Sequence, residues 1–393
     1  MTLSFWRYSH LALALFSSLF LLLASLTGAI LAVDVVQEKT LGYRVENFDA
    51  ITLGETLPVL RKTYPEITEL NVDHNQFVTL EGIDQKDNDV KGYIDPRTGK
   101  ILGEPIKKSE FIQWTTALHR SLFLKETGRF IVGFVSLILA LISFSGFALI
   151  LQRQRSWRSL FAKIVKENFA QYYHVFLGRL SLIPILVLAL SGTYLTLEKF
   201  NFFLEKTDSK EKTEVVEKTG ISKKEDSTIF KSTLLADVQK IEFPFSDDPE
   251  DFYIITLNDR EIEVNQMTGA VVNEKLLPKT TQLSDLSLDL HTGRANVLWA
   301  IILGIASINI LFFFFFCFAM TLIRRASRIK NKYKAEESKF SLLVGSENGS
   351  TLRFASAIYK QLLAHGEKVF VTELNNYAKY PKAEHLIVFA STH

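Results

Sequence analysis

Residues 10–33 read HLALALFSSLFLLLASLTGAILAV, and residues 174–197 read HVFLGRLSLIPILVLALSGTYLTL. Each stretch is one histidine followed by an apolar run, Leu11–Val33 or Val175–Leu197, that reaches the roughly 20 residues a spanning helix needs. Two more runs follow the same rule, Phe130–Leu151 after His119 and Ala295–Ile323 after His291. Four membrane crossings are therefore expected, each with an imidazole at or just before its start. Ionisable side chains at membrane depth are costly, so such histidines point to function. Imidazoles facing one another between helices are what axial ligation of a haem iron requires.

The 393 residues carry 45 Lys and Arg against 43 Asp and Glu, a balance that does not suggest a nucleic-acid partner. The single cysteine, Cys317, lies inside the fourth apolar run, so thiolate-ligated zinc or iron–sulfur sites are excluded. Metal chemistry would have to rest on histidine and carboxylate. Charge is asymmetric locally: Arg153, Arg155, Arg158, Lys163 and Lys166 crowd the link between runs two and three. Arg324, Arg325, Arg328, Lys330, Lys332 and Lys334 follow run four. Short basic flanks mark the cytoplasmic side. Both termini are then expected inside a bacterial cytoplasmic membrane, with two connections of about 95 residues each in the periplasm. His10 and His174 fall at the inner edge, and His119 and His291 at the outer edge. An alternative makes run one a cleaved signal peptide, with Arg7 as its basic start and Ala29–Ala32 near a cleavage site.

The chain repeats itself. His10 stands 18 positions before Gly28, and His174 stands 18 before Gly192. A small hydroxyl residue, Thr27 or Ser191, precedes each glycine, and a leucine, Leu31 or Leu195, follows three residues later. Glycine among small residues lets helices approach closely in lipid. Pro184 has no counterpart in the first copy, so a kink is expected there. In the outer segments, residues 94–101 (IDPRTGKI) match residues 264–271 (VNQMTGAV), a hairpin-turn pattern of Asp95 or Asn265 with Gly99 or Gly269. Leu53–Tyr64 and Phe230–Ile241 read as short helices, followed by strands near Phe77–Leu80 and Phe252–Leu257. Each outer segment is thus expected to be a small α+β module. Residues 198–228, dense in Lys, Glu, Thr and Ser, read as a flexible linker.

The entries to helices two and four share Thr127-Gly128-Arg129 and Thr292-Gly293-Arg294. His119 stands eight residues before its threonine and His291 one, a difference of about two helical turns. On that register the two imidazoles share a direction but differ in depth by roughly 10 Å.

Together these residues resemble the PepSY-associated transmembrane family, and within it the ferric-siderophore-reductase type of membrane oxidoreductase. The carrying residues are Tyr8-Ser9-His10-Leu11, Leu118-His119-Arg120-Ser121, Tyr173-His174-Val175-Phe176 and Leu290-His291, with the two Thr-Gly-Arg motifs, over residues 1–325. The resemblance implies two b-type haems, one held by His10 with His174 and one by His119 with His291. Arg129 and Arg294 would face haem propionates, for which a guanidinium fork is suited; ordinary snorkelling at a helix end is the competing account. The tail resembles the start of a flavodoxin-like FMN domain. Phe340–Val344 reads as a strand, followed by the loop Ser346, Glu347, Asn348, Gly349, Ser350 and Thr351 as a phosphate cradle and a helix through Leu363. Val369–Thr372 and Leu386–Ala390 read as strands, and Ser391-Thr392 opens a second FMN loop. A doubly wound flavodoxin sheet has about five strands, so FMN is expected only where that domain is completed.

The expected fold is a four-helix membrane bundle with two extracytoplasmic PepSY-like α+β modules and an incomplete α/β flavodoxin-like segment. Its parts are helix 1 (1–33), module 1 (34–118), helix 2 (119–151), a basic cytoplasmic link (152–173), helix 3 (174–197), the linker (198–228), module 2 (229–290), helix 4 (291–323), a cytoplasmic linker (324–339) and the tail (340–393). The expected function is electron transfer from a cytoplasmic NADPH-derived flavin through both haems to an extracytoplasmic ferric chelate. The competing class is a haem-free scaffold whose outer modules bind a protein or peptide. His74, His365 and His385 read as solvated, Ser156–Phe169 as a helix on the membrane surface, and Phe312–Phe316 as lipid-facing packing.

Overall fold

The computed structural model describes residues 3–154, 164, 169–202, 228–246, 248, 250–326, 329–345 and 350–390. They form two compact units, residues 1–149 with 182–308, and residues 150–181 with 309–393. Most of the basic link with its expected surface helix, most of the linker 198–228, and Ser346, Glu347, Asn348, Gly349, Ser391 and Thr392 lie outside the described residues.

Four helices are long and apolar enough to cross a membrane. The first, α1 (Leu3–Lys39), runs unbroken past the expected end of the apolar stretch. Next, α2 (Leu53–Thr63) opens the first outer segment with a capping box, in which Thr52 accepts from the Glu55 N–H and Glu55 accepts from that of Thr52. Strands β1 (Glu66–Val72), β2 (Val78–Ile83), β3 (Asp89–Ile94) and β4 (Ile101–Gly103) follow. They lead to α3 (Glu110–Ser121) and the spanning helix α4 (Lys125–Gln154). The third spanning helix, α5 (Phe169–Lys199), continues through Pro184. The second copy then gives α6 (Thr228–Ser232), β5 (Val238–Glu242), β6 (Phe252–Leu257), β7 (Arg260–Asn265), β8 (Val271–Leu276), α7 (Lys279–Thr292) and α8 (Val297–Ala326).

Three expectations change here. Phe230–Ile241 is not one helix: α6 ends at Ser232, a short 3-10 turn covers Leu235–Asp237, and Val238 starts a strand. Val238 and Ile241 are needed in the sheet core, where both are buried, and that burial outweighs local propensity. The two outer modules are also not separate. Their strands form one antiparallel sheet in the order β4-β3-β2-β1-β5-β6-β7-β8. The halves join where Leu70 lies opposite Ile241, flanked by Glu69 opposite Glu242 and Asn71 opposite Lys240. One core, including Phe48, Leu60, Leu70, Leu80, Ile241 and Ile255, serves both halves. Third, His119 and His291 do not sit on the spanning helices. They lie on α3 and α7, which end before α4 and α8 begin.

The matched turns are real. Gly99 at φ 70° and Gly269 at φ 71° adopt the left-handed conformation that glycine tolerates. Each donates its N–H to the carbonyl of Asp95 or Asn265, at 2.8 Å in both copies.

In the second unit, β9 (Phe340–Gly345), α9 (Ser350–Ala364), β10 (Val369–Glu373) and β11 (His385–Ala390) make a parallel three-stranded sheet in the order β10-β9-β11. The expected linker 324–339 is partly docked: Asn331 donates to the Val371 carbonyl at 2.7 Å and accepts the Val371 N–H at 2.8 Å.

Because Leu70 is fully buried at the join of the two halves, Leu70→Ala should cost about 2–5 kcal/mol of outer-sheet stability. Thermal unfolding of the detergent-solubilised chain checks this, with Leu41→Ala, an exposed site, as the near-neutral reference.

Candidate functional site

Two short helices, one from each copy, bring His119 and His291 together with ring centroids 6.3 Å apart and planes inclined by 50°. The expected 10 Å difference in depth is therefore overturned. It came from aligning the Thr-Gly-Arg motifs, which are not structurally equivalent: Gly128 lies inside α4, whereas Gly293 is the left-handed C-cap of α7 at φ 83°. Measured from the helices, the copies agree, since Lys125 and Val297 each open a spanning helix six residues after their histidine. Leu122, Phe123 and Lys125, all with positive φ, form the elbow in copy one. In copy two, Asn296 caps α8 by accepting the Trp299 N–H at 2.8 Å, and the Trp299 indole donates to the Leu290 carbonyl at 2.8 Å.

Each imidazole is held the same way. His119 Nδ1 lies 2.8 Å from Thr27 Oγ1, and the Ala24 carbonyl is its backbone partner. His291 Nδ1 lies 3.1 Å from Ser191 Oγ and 3.0 Å from the Leu188 carbonyl. At the far end of α1, His10 Nδ1 lies 2.9 Å from Ser145 Oγ and 3.1 Å from the Ile142 carbonyl. In all three cases the carbonyl belongs to the residue three before the hydroxyl, and the residue after the hydroxyl is glycine: Gly28, Gly192 or Gly146. A Cβ there would lie 3.4 Å from His119 Cε1, 2.8 Å from His291 Cε1 and 3.3 Å from His10 Cε1 respectively.

Loss of hydration holds the His119 pKa down to about 4, with the neighbouring His291 charge adding to the effect. Burial lowers that of His291 as well. Both rings are therefore neutral near pH 7, which is the form that ligates a metal.

His10 belongs to the first unit and His174 to the second. His174, on α5, packs with its ring centroid 5.1 Å from Phe313. Phe316, expected to face lipid, is buried and stacks with Tyr173 at 6.0 Å. The spanning helices share a register in which Gly133 packs on Thr196 and Gly304 on Ala32, and in which Ser136 and Ser307 approach Gly192 and Gly28. That register sets Phe316-Cys317 where the first copy has Ser145-Gly146.

The two arginines differ. Arg129 pairs with Glu126 one turn away at 3.9 Å. The carbonyl of Arg294 accepts from Lys39 Nζ at 2.6 Å, and the same ammonium bonds Asn75 Oδ1 at 2.9 Å. His74, expected to be a solvated loop residue, has its pKa pushed down to about 4, first by partial burial and then by the charges of Arg294, Lys39 and Lys108. Lys108 in turn bridges Asp34 and Glu38, at 2.5 Å each. This charged cluster joins the end of α1 to the outer sheet. The sequence reading missed it, because its members are scattered across four segments. Of the expected phosphate loop, Ser350 and Thr351 fall in the first turn of α9.

Four apolar spanning helices, a duplicated outer segment and converging histidines define a multi-pass membrane protein built from an internal repeat. The family described as PepSY-associated TM region matches residues 7–324, and the chain belongs to it. Compared with curated proteins, the chain matches none.

Gly192 has less room than Gly28. Gly192→Ala should therefore lower the melting temperature of the solubilised chain clearly more than Gly28→Ala, and a reversed order would contradict the packing described.

Proposed function

We propose that this chain is the membrane portion of an oxidoreductase that carries electrons across the bilayer through haem held by paired histidines. The observation that carries the reading is the convergence of His119 and His291. Two imidazoles bound to opposite sides of one metal ion by bonds of about 2 Å have centroids about 6 Å apart, and these rings are 6.3 Å apart. The donor set also fits. Neutral imidazoles with Nδ1 engaged keep Nε2 as the lone-pair nitrogen, which is the usual arrangement of a ligating histidine with its outer partner.

His119 with His291 would hold one haem, and the family resemblance suggests His10 and His174 for a second. When bound, the haem supplies one-electron chemistry; the chain supplies ligation, orientation and a low-dielectric surround. Along α1, the 18 residues from His10 to Gly28 amount to about 27 Å of rise. Sites at the two levels would therefore stand near opposite faces of a hydrocarbon core about 30 Å thick. The parallel β10-β9-β11 order with α9 after the first strand agrees with a flavodoxin-like fold, and this supports a flavin donor. A ferric chelate is the acceptor that the family resemblance suggests, reduced above the His119 and His291 pair.

Purified full-length protein tests the reading. A six-coordinate low-spin b-type spectrum at two haems per chain is the expected result. His119→Ala or His291→Ala should remove one haem and leave the other, and His10→Ala or His174→Ala should remove the other. A preparation that stays colourless after reconstitution with haemin rejects the conduit in favour of a haem-free scaffold.

A further inference from the structure

Hydroxyl residues in apolar helices commonly bond back to a carbonyl three or four residues earlier. Ser17, Ser143 and Thr193 do so here, to Leu13, Leu139 and Ala189. Thr27, Ser145 and Ser191 do more. Thr27 Oγ1 donates to the Leu23 carbonyl at 2.7 Å, Ser191 Oγ to Val187 at 2.6 Å and Ser145 Oγ to Ile142 at 2.9 Å. With its hydrogen so committed, each oxygen meets an imidazole Nδ1 as an acceptor. The carbonyls of Ile142 and Leu188, which can only accept, lie on the same Nδ1 atoms of His10 and His291 at 3.1 and 3.0 Å. Nδ1 therefore carries the proton in both rings, and in His119 by the same reasoning through Thr27.

We infer that the sequence pattern of carbonyl at position i−3, hydroxyl at i and glycine at i+1 is a three-point cradle, and that Thr27, Ser145 and Ser191 are positioning residues. Each fixes one histidine as the Nδ1–H tautomer, with Nε2 presented as the donor nitrogen. The glycine keeps the helix surface low beside the ring, most tightly at Gly192, where a Cβ would lie 2.8 Å from His291 Cε1. Two of the cradles were visible in the sequence only as helix-packing glycines. The third, Ser145-Gly146, lies in the other arm of the repeat, and its counterpart on α8 is Phe316-Cys317. Among the described residues three such cradles hold three of the histidines, and the His174 ring packs against Phe313.

This inference rests on the haem reading for its purpose and on geometry for its existence, and its test separates the two. Histidine is labelled with nitrogen-15 in the full-length, haem-free protein in lipid nanodiscs, and signals are assigned by loss in His119→Gln and His291→Gln. The wild-type rings should show the Nδ1–H pattern. Thr27→Val should shift the His119 Nδ1 signal, Ser191→Ala that of His291, and Thr27→Ser should restore the first. Signals unmoved by hydroxyl removal overturn the cradle, as does a wild-type Nε2–H pattern. Reconstitution with haemin is the second arm. Loss of an outer partner commonly costs 10–100-fold in metal affinity, so Thr27→Val should weaken haem binding at one site by about that factor, with Thr27→Ser near wild type. Haem bound normally by Thr27→Val rejects the positioning role while leaving the haem reading intact. An intact Nδ1–H pattern in a chain that takes up no haem rejects the haem reading while the cradle stands. Should Thr27→Val fail to fold, Ser145→Ala, read at His10, gives the same discrimination.

Discussion

Leu70 and Ile241 meet side by side, fully buried, where the ladders of the two outer segments join. β1 and β5 are the first strands of the two four-strand meanders, and they pair antiparallel. Copies of one unit that pair through corresponding strands in this sense are related by a local two-fold axis, as in an isologous dimer. The axis has consequences away from the sheet. Strands β4 and β8 end at opposite edges, and the chain returns from each through a short helix, α3 or α7. A two-fold relation brings equivalent residues of such helices together where they lie near the axis. His119 and His291, 172 positions apart in sequence, meet for this reason.

What holds the rings there is set by the solvent they lack. An apolar surround makes an unpaired polar N–H expensive, by about 1–3 kcal/mol or more, so each Nδ1–H needs acceptors that a helix can supply. A helix has few to spare, because its carbonyls are bonded within the ladder. A carbonyl has a second lone pair, however, and a serine or threonine at i brings an oxygen beside it while satisfying its own hydrogen. Glycine at i+1 then lets the ring reach both. Neutral, oriented imidazole follows from these needs, before any ligand is considered.

How legible this was depends on the range of the interaction. Helix length and apolar content are local, so all four spanning helices were readable from composition, as were the matched Gly99 and Gly269 turns, because both reflect backbone constraints within a few residues. The fusion of the outer segments was not readable. Nothing within β1 or β5 states which partner each takes, and Val238–Glu242 follows helical residues closely enough to read as their continuation. The pairing of His119 with His291 was anticipated from topology, but its depth was misjudged, because Gly128 and Gly293 stand in identical tripeptides with different work. A Cβ on Gly128 would overlap the Ser121 carbonyl, whereas Gly293 is needed for a left-handed cap. Equal letters there reflect unlike constraints. The charged cluster of Lys39, Lys108, Asp34 and Glu38 shows the opposite failure, a single electrostatic unit with no sequence signature.

Duplication fixes backbones more firmly than side chains, and the positions of His10 and His174 show how far the copies have separated. His10 keeps two acceptors and a glycine notch on α4. His174 stands on the equivalent turn of α5, yet the equivalent place on α8 holds Phe316 and Cys317; Phe313 packs on the His174 ring, while Tyr173 and Phe169 pack on Phe316. Aromatic rings restrain an imidazole by packing and by ring-edge electrostatics. Helix register, carried by the contacts of Gly133 and Gly304, survives this exchange because backbone approach depends on the glycines alone. A duplicated backbone can therefore keep its helix register while the side chains at corresponding positions diverge. The departure sits where the second copy continues into the C-terminal sheet, the one part of the described chain with no counterpart in the first copy.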